Sequence, residues 1–322
     1  MKILVASSIS SDALDALSRD HELVMVVGGT EDQLAVAITD CDALIFRSGV
    51  QISEQVLTAG TGLSLVVRAG SGYDNIDLGP VRRRGIRFVR IPGPGAKAVA
   101  ELGFSLMLTL ARQLLWADSE WRQGHWVKPK AKGRLLTGRV LGIVGAGNIG
   151  TRVGALGAAW DMDVLGCVEW PSESEEERLA GHGITLTDID SVLSKSDFVS
   201  VHVTLQESTL GLIGEREIAL MKPDAFLVNL ARGGVVDEGA LRRALIEGRL
   251  AGAALDVHAA EGEGKRSPLA GLPNVVLTPH IGASTVDTQR EIGEVILRVI
   301  EEAHINPPEL VPDSEDFHVM SA

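Results

Sequence analysis

Three stretches of this chain each deliver one reactive side chain at a point where a short apolar run stops. Asn229-Leu230-Ala231-Arg232-Gly233-Gly234 offers a guanidinium between small residues, and Leu255-Asp256-Val257-His258-Ala259-Ala260-Glu261 a carboxylate. Thr278-Pro279-His280-Ile281-Gly282-Ala283 offers an imidazole. In an open α/β sheet, ligands sit outside the carboxyl ends of the strands, so Arg232, Glu261 and His280 are candidates to converge there.

Their chemistry is complementary. An imidazole, with an unperturbed pKa of about 6.5, takes a proton from a hydroxyl or returns it. A carboxylate hydrogen-bonded to the ring fixes its tautomer and favours its charged form. A guanidinium grips an anionic carboxylate through two parallel hydrogen bonds and polarises a neighbouring carbonyl. Such a set suits proton and hydride transfer at a carbon beside a carboxylate. Taken singly, each residue has a plainer reading: Arg232 as a surface cation, Glu261 as a solvated loop charge, His280 as a polar residue ahead of a helix.

Hydride chemistry needs a carrier, and Gly145-Ala146-Gly147-Asn148-Ile149-Gly150 has the G-x-G-x-x-G pattern of a dinucleotide turn. With glycine at 36 of 322 positions the pattern alone is weak. Here it follows an apolar run at 140–144 and opens a helical pattern at 148–159, the context the turn requires. Gly145 permits the tight turn, Gly147 lets backbone N–H groups approach a pyrophosphate, and Gly150 allows close helix–strand packing. The helix N-terminus adds partial positive charge. Glu169, nineteen positions after Gly150, suits an acceptor for the adenosine ribose, and no Lys or Arg lies between Glu169 and Glu177. That favours NAD over NADP.

The elements that must position these groups are those of an α/β protein, in which short apolar runs alternate with helical patterns. Runs at 3–6, 23–27, 43–46, 65–67 and 87–89, with an amphipathic stretch at 11–18, form a first doubly wound unit. Ile91-Pro92-Gly93-Pro94-Gly95 reads as a stiff crossing. A single long helix is expected from about Lys97 to Arg122, carrying Leu102, Leu106, Leu110 and Leu114, part of it as a dimer contact. A larger unit follows, with strands at 140–144, 164–168, 198–203, 226–229, 253–256 and 275–277. A helix from Asp287 to about Glu302 then returns to the first unit and a polar tail closes the chain. The expected domains are 1–95 with 288–322, and 96–287.

Composition bounds the partners. Hydrophobic residues at 45% and charged residues at 23% describe an ordinary globular chain. A net charge of −13 gives no overall attraction to nucleic acid or anionic lipid, so neither is expected as a partner. The N-terminal MKILVASSIS runs straight into a strand without a signal-peptide pattern, and the most apolar stretch, 102–116, is interrupted by Ser105, Thr109, Arg112 and Gln113. Cys41 and Cys167 stand alone, read as buried hydrophobes, and suggest no metal site. A cytoplasmic location is the simplest expectation.

Several independent segments now identify a resemblance. Arg68-Ala69-Gly70-Ser71-Gly72-Tyr73-Asp74-Asn75-Ile76-Asp77, the glycine-rich turn, and Met221-Lys222-Pro223 are three of them. The run from Val228 to Asp237, Leu255-Asp256-Val257, and Pro279-His280-Ile281-Gly282-Ala283-Ser284-Thr285 complete the set. Across nearly its whole length the chain resembles the D-isomer-specific 2-hydroxyacid dehydrogenases, the family of phosphoglycerate, glycerate and formate dehydrogenases. The resemblance implies a Rossmann domain and a smaller flavodoxin-like substrate domain. It also implies an NAD-dependent oxidoreductase acting on a small anionic 2-keto or 2-hydroxy acid, with a homodimer the expected assembly.

It implies Arg232 as the clamp on the substrate carboxylate, Glu261 as the partner of His280, and His280 as the acid/base. Backbone N–H groups of Gly70, Ser71 and Gly72 would grip the substrate. Asn148, Ile149, His202, Thr209, Ala231, Asp256 and Gly282 would line the cofactor groove, although His202 reads equally well as structural. Three positions depart from the family pattern. Val168 stands where an aspartate is usual, with Glu169 one place late. Gly95 replaces a frequent asparagine, with Lys97 two residues on as a possible contact to a doubly anionic substrate. Glu261 is followed by Gly262-Glu263 rather than proline, making Glu263 a rival carboxylate. Two other functions stay open: a non-catalytic NAD(H)-sensing module that binds other proteins, and oxidation of a different small anion such as phosphite, formate or a phosphonate. No amino-acid-binding regulatory domain is expected within this length.

Overall fold

Central strands buried on both faces and interleaved with helices give two wholly parallel sheets, as βαβ crossovers require. The computed structural model describes residues 1–306 and 318–319. The chain divides into two units: Met1–Gly95 together with the segment that starts at Ala283, and Ala96–Gly282.

The first unit alternates β1 (Lys2–Val5), α1 (Ser11–Asp20), β2 (Glu22–Met25), α2 (Glu31–Ala37), β3 (Ala43–Phe46), α3 (Glu54–Ala59), β4 (Leu65–Arg68), α4 (Leu78–Arg83) and β5 (Arg87–Arg90). The strand order β2-β1-β3-β4-β5 is the flavodoxin-like arrangement. β3 and β4 are buried along their whole length, with separate apolar layers on the two faces.

In the second unit α5 (Gly93–Arg112), whose first turn lies before the division, and α6 (Leu114–Arg122) precede β6 (Val140–Val144), α7 (Asn148–Ala159) and β7 (Asp163–Cys167). Then come α8 (Glu173–Ala180), β8 (Ile184–Leu186), α9 (Ile189–Lys195), β9 (Phe198–Val201), α10 (Glu215–Leu220), β10 (Phe226–Asn229), α11 (Glu238–Ile246), β11 (Gly252–Leu255) and β12 (Val275–Leu277). The order β8-β7-β6-β9-β10-β11-β12 is that of a Rossmann sheet with one further strand. Back in the first unit, α12 (Val286–Ile305) packs on α1, and β13 (His318–Val319) pairs with β5. Apart from His318–Val319, the polar tail expected after α12 lies outside the described residues.

The single helix expected from Lys97 to Arg122 is corrected. It begins at Gly93, with Pro94 in the first turn where a missing N–H costs nothing, and it breaks at Gln113 with a bend of 62°. The Ala111 carbonyl accepts from Arg134 N at 2.8 Å rather than continuing the helical ladder, and Gln113 adopts φ of 52°. No single helix among the described residues is long and apolar enough to cross a membrane.

Candidate active site

The glycine-rich turn joins β6 to α7. Gly145 has φ of +91°, and a Cβ there would press on the backbone of His202 and Val203. A Cβ on Gly150 would collide with the Gly145 carbonyl. These two glycines are therefore demanded by the protein's own packing. Gly147 is not: its φ is −78° and an added Cβ would meet nothing within 4 Å. The space ahead of Asn148 and Ile149 in the first turn of α7 is thus open, as the approach of a phosphate group to a helix N-terminus requires.

α8 braces this turn from behind. Arg178 donates to the Ala146 carbonyl at 2.8 Å and to Thr151 Oγ1 at 2.9 Å, while Glu175 takes two further bonds from the same guanidinium. This cation lies one residue beyond the stretch from Glu169 to Glu177, which carries no Lys or Arg. Glu169 is exposed two positions beyond β7, with Gln206 Nε2 at 3.3 Å from its carboxylate. Thr209 donates to the Thr204 carbonyl at 2.6 Å and so closes the loop after β9. Lys97 lines a 550 Å³ groove on the flank of α7 with Asn148, Arg152 and Arg178.

His202 follows β9 directly. Although part of the residue reaches solvent, its Nδ1 is enclosed without a hydrogen-bond partner and its Nε2 meets Ser200 Oγ at 2.8 Å. Burial pushes this imidazole down to about 3, so it is neutral.

Arg232, Glu261 and His280 occupy three neighbouring loops at one edge of the second sheet. At the end of β10, Asn229 Oδ1 accepts from Ala231 N at 3.0 Å and Asn229 Nδ2 donates to the Arg232 carbonyl at 3.2 Å. That local ring holds the turn carrying Arg232, whose Nη1 donates back to the Ala231 carbonyl at 2.8 Å. At the end of β11, Asp256 is 2% exposed and its carboxylate is consumed by the third loop. Oδ1 accepts from Thr278 Oγ1 at 2.6 Å and Ile281 N at 2.9 Å, and Oδ2 from Gly282 N at 2.8 Å. Asp256 therefore shapes the turn that presents His280, which donates from its amide to the Asp256 carbonyl at 2.7 Å.

His280 Nδ1 lies 2.8 Å from Glu261 Oε2, while Glu261 Oε1 accepts from the His258 amide at 3.0 Å. Burial alone would raise the Glu261 carboxyl, but the bonds from His280 and the His258 amide outweigh it and hold the group below the usual carboxylate range. An ionised carboxylate only accepts, so Nδ1 carries the proton and Nε2 is turned to other work. No hydrogen bond is made by that Nε2 among the described residues. Glu263, the rival carboxylate, is exposed and makes no such contact.

Two supporting residues escaped the sequence reading. His258 lies between the loops: a Cβ on Gly233 would collide with the His258 carbonyl, so the Arg232 turn rests against it. Glu238, at the start of α11, is 7% exposed and accepts from Ala259 N at 2.6 Å and Ser267 Oγ at 3.2 Å, tying down the loop that bears Glu261. Nothing in its sequence context marks it as buried.

Gly70, Ser71 and Gly72 belong to the first unit, just after β4. Arg68 lies across Gly70, Ser71 Oγ donates to the Pro92 carbonyl at 3.3 Å, and Arg90 donates to the Ser71 carbonyl at 3.3 Å.

Comparison with known proteins agrees with this architecture. A family profile described as D-isomer specific 2-hydroxyacid dehydrogenase, NAD binding domain, matches residues 104–282. The chain is 37% identical to D-3-phosphoglycerate dehydrogenase of Archaeoglobus fulgidus over 92% of its own length and 56% of that protein. It thus spans little more than half of that relative. It is 36% identical to hydroxypyruvate reductase of Thermotoga maritima over 94% of this chain and 99% of that one. Among solved structures, D-lactate dehydrogenase from Aquifex aeolicus complexed with NAD and lactic acid superposes with a TM-score of 0.83 at 28% identity, covering 95% of each chain.

Proposed function

The chain belongs to the D-isomer-specific 2-hydroxyacid dehydrogenase family, and on that footing we propose that it is an NAD-dependent oxidoreductase interconverting a small 2-keto acid and its D-2-hydroxy acid. The observation that carries this reading is the 2.8 Å contact of His280 Nδ1 with Glu261, made beside the turn that holds Arg232.

Gly145, Gly147, Asn148, Ile149 and Gly150 would hold the pyrophosphate of NAD, with Glu169 toward its ribose. His202, Thr209, Ala231, Asp256 and Gly282 would complete the groove, Asp256 by shaping the wall rather than by touching the ligand. The open space at Gly147 fits that group. Bound there, the reduced nicotinamide supplies the hydride that the substrate's C2 receives.

The chain's own groups do the rest. Arg232 pairs with the substrate carboxylate and draws electron density from the keto oxygen. His280, protonated on Nε2, delivers a proton to that oxygen as C2 is reduced; in the reverse direction the neutral ring accepts it. Glu261 keeps the ring oriented and its tautomer fixed. Amides of Gly70, Ser71 and Gly72 would supply further donors to the carboxylate; Lys97, expected as a second cation for dianionic substrates, lines a groove that includes none of Arg232, Glu261 and His280 and is not assigned to the substrate.

A homodimer is part of the reading. It is supported by exposed Leu114, Leu115, Trp121, Trp126 and Leu135 in the second unit, side chains of the kind that association surfaces cover. Sedimentation should report two chains, and Trp121→Ser with Trp126→Ser should shift the species toward one. A cytoplasmic location completes the reading and is checked by cell fractionation.

The deciding experiment follows reduced-nicotinamide absorbance while 2-keto acids are offered with NADH and then NADPH. Turnover with NADH on at least one acid, lost in His280→Ala, is expected. Tight NADH binding with no turnover on any acid would favour a sensor instead.

A further inference from the structure

The ladder between β11 and β12 ends at the pair Leu255 and Leu277, after which the Thr278 amide donates to the Leu255 carbonyl at 3.0 Å and the His280 amide to the Asp256 carbonyl at 2.7 Å. Beyond that pair the two chain segments are also cross-linked by side chains from the β11 side. One is Asp256, already described. The other is His258, whose ring Nε2 lies 2.9 Å from the Thr278 carbonyl. A carbonyl only accepts, so Nε2 must carry the hydrogen.

His258 also reaches the other two loops through its backbone. Its amide donates to Glu261 Oε1 at 3.0 Å, and its carbonyl is the surface against which Gly233 packs. The same residue thus references the turn of Arg232, the carboxylate of Glu261 and the turn of His280. Its Nδ1 is buried without a hydrogen-bond partner, which is unfavourable for a polar atom. A phenyl ring of similar size would avoid that burden. It could not supply the Nε2–H bond to Thr278.

We propose that His258 is a positioning residue that sets the His280–Glu261 contact by fixing the Thr278 turn to the Glu261 loop. It touches no reacting atom. With the ring bond gone, the turn bearing His280 keeps its Asp256 bonds but loses its tie to the loop bearing Glu261, so the two partners drift relative to each other. A looser carboxylate contact orients the ring less well for proton transfer. The proposal rests on His280 being the proton donor of the reaction proposed above.

Three variants of the full-length protein separate the possibilities: His258→Phe, His258→Gln and His280→Ala. His258→Phe removes the donor and keeps the ring, and His258→Gln restores a donor without it. The expected outcome for His258→Phe is a kcat for keto-acid reduction lowered by about tenfold, with KM for NADH within about twofold of wild type. His258→Gln should recover part of the lost kcat. If His258→Phe fails to fold, the test passes to His258→Gln, whose kcat should lie below wild type at an unchanged KM for NADH. Wild-type kcat in His258→Phe, or in His258→Gln where it stands alone, would overturn the proposal, as would a loss tracking the unfolding midpoint that glutamine does not relieve. Undiminished turnover in His280→Ala would instead overturn the assignment of the proton donor, whatever His258 does.

Discussion

His280 meets Glu261 at 2.8 Å from a backbone held at φ of +55°, so the contact depends on a turn conformation as well as on two side chains. A left-handed backbone is disfavoured for residues with a Cβ. Here it is held by the His280 amide on the Asp256 carbonyl and by the Asp256 carboxylate on Ile281 and Gly282.

Glu261→Gln keeps the shape of the carboxylate and a hydrogen-bond acceptor for Nδ1–H, but removes the charge. Reduction of the keto acid should slow by roughly 10²-fold. Initial rates at several fixed pH values check this. Equal rates for variant and wild type throughout would remove Glu261 from the reaction.

Arg232→Lys retains one positive charge without the planar fork. KM for the keto acid should rise by about 10–100-fold and kcat should fall, while KM for NADH stays near wild type. A change confined to the NADH constant would place the guanidinium on the wrong ligand.

Gly147→Ala and Gly150→Ala should part company. The first adds a methyl into open space at an ordinary φ, so thermal stability should hold within about 1 kcal/mol while NADH affinity drops about tenfold or more. The second drives a methyl at the Gly145 carbonyl and should cost about 1–3 kcal/mol in stability. Similar unfolding midpoints for the two variants would contradict the account of the turn.

His202 sets an acid limb for the apoprotein. Its ring is pushed to about 3 in the fold, whereas an unfolded chain binds that proton below about 6.5. Between those values the unfolded state holds the extra proton, so stability falls as pH falls, by up to about 1.4 kcal/mol per pH unit from this group. Urea unfolding of wild type and His202→Gln between pH 7 and 4.5 (a window bracketing the ordinary imidazole value) should show the variant with the flatter decline. Parallel curves would dismiss His202 as the cause.

Much of this molecule is written in local pattern. Strands such as Ala43–Phe46 and Phe226–Asn229 are continuous apolar runs because both faces of a parallel sheet are covered, and the glycine-rich turn announces itself because its sterics are local. The break at Gln113 gives no such signal. It has no glycine or proline and arises because Arg134, twenty-one positions on, takes the Ala111 carbonyl. The short strand Ile184–Leu186 is likewise unmarked, since three residues carry no period. Among the reactive groups, residue type and strand-end position point to His280 and Glu261, but local pattern leaves Glu263, two places on, as a rival carboxylate. The structure seats Glu261 on the ring and leaves Glu263 exposed. His258, Glu238 and Arg178 were invisible because each acts on a partner distant in sequence.

The left-handed geometry at His280 also limits how this site can be diversified. A library that varies only that position would offer β-branched and bulky replacements a backbone they tolerate poorly, and would enrich glycine, asparagine or aspartate for conformational reasons unrelated to chemistry. Installing a different acid or base there calls for exchanging the whole Pro279-His280-Ile281-Gly282 hairpin of chain together with Asp256, as one transplanted cassette.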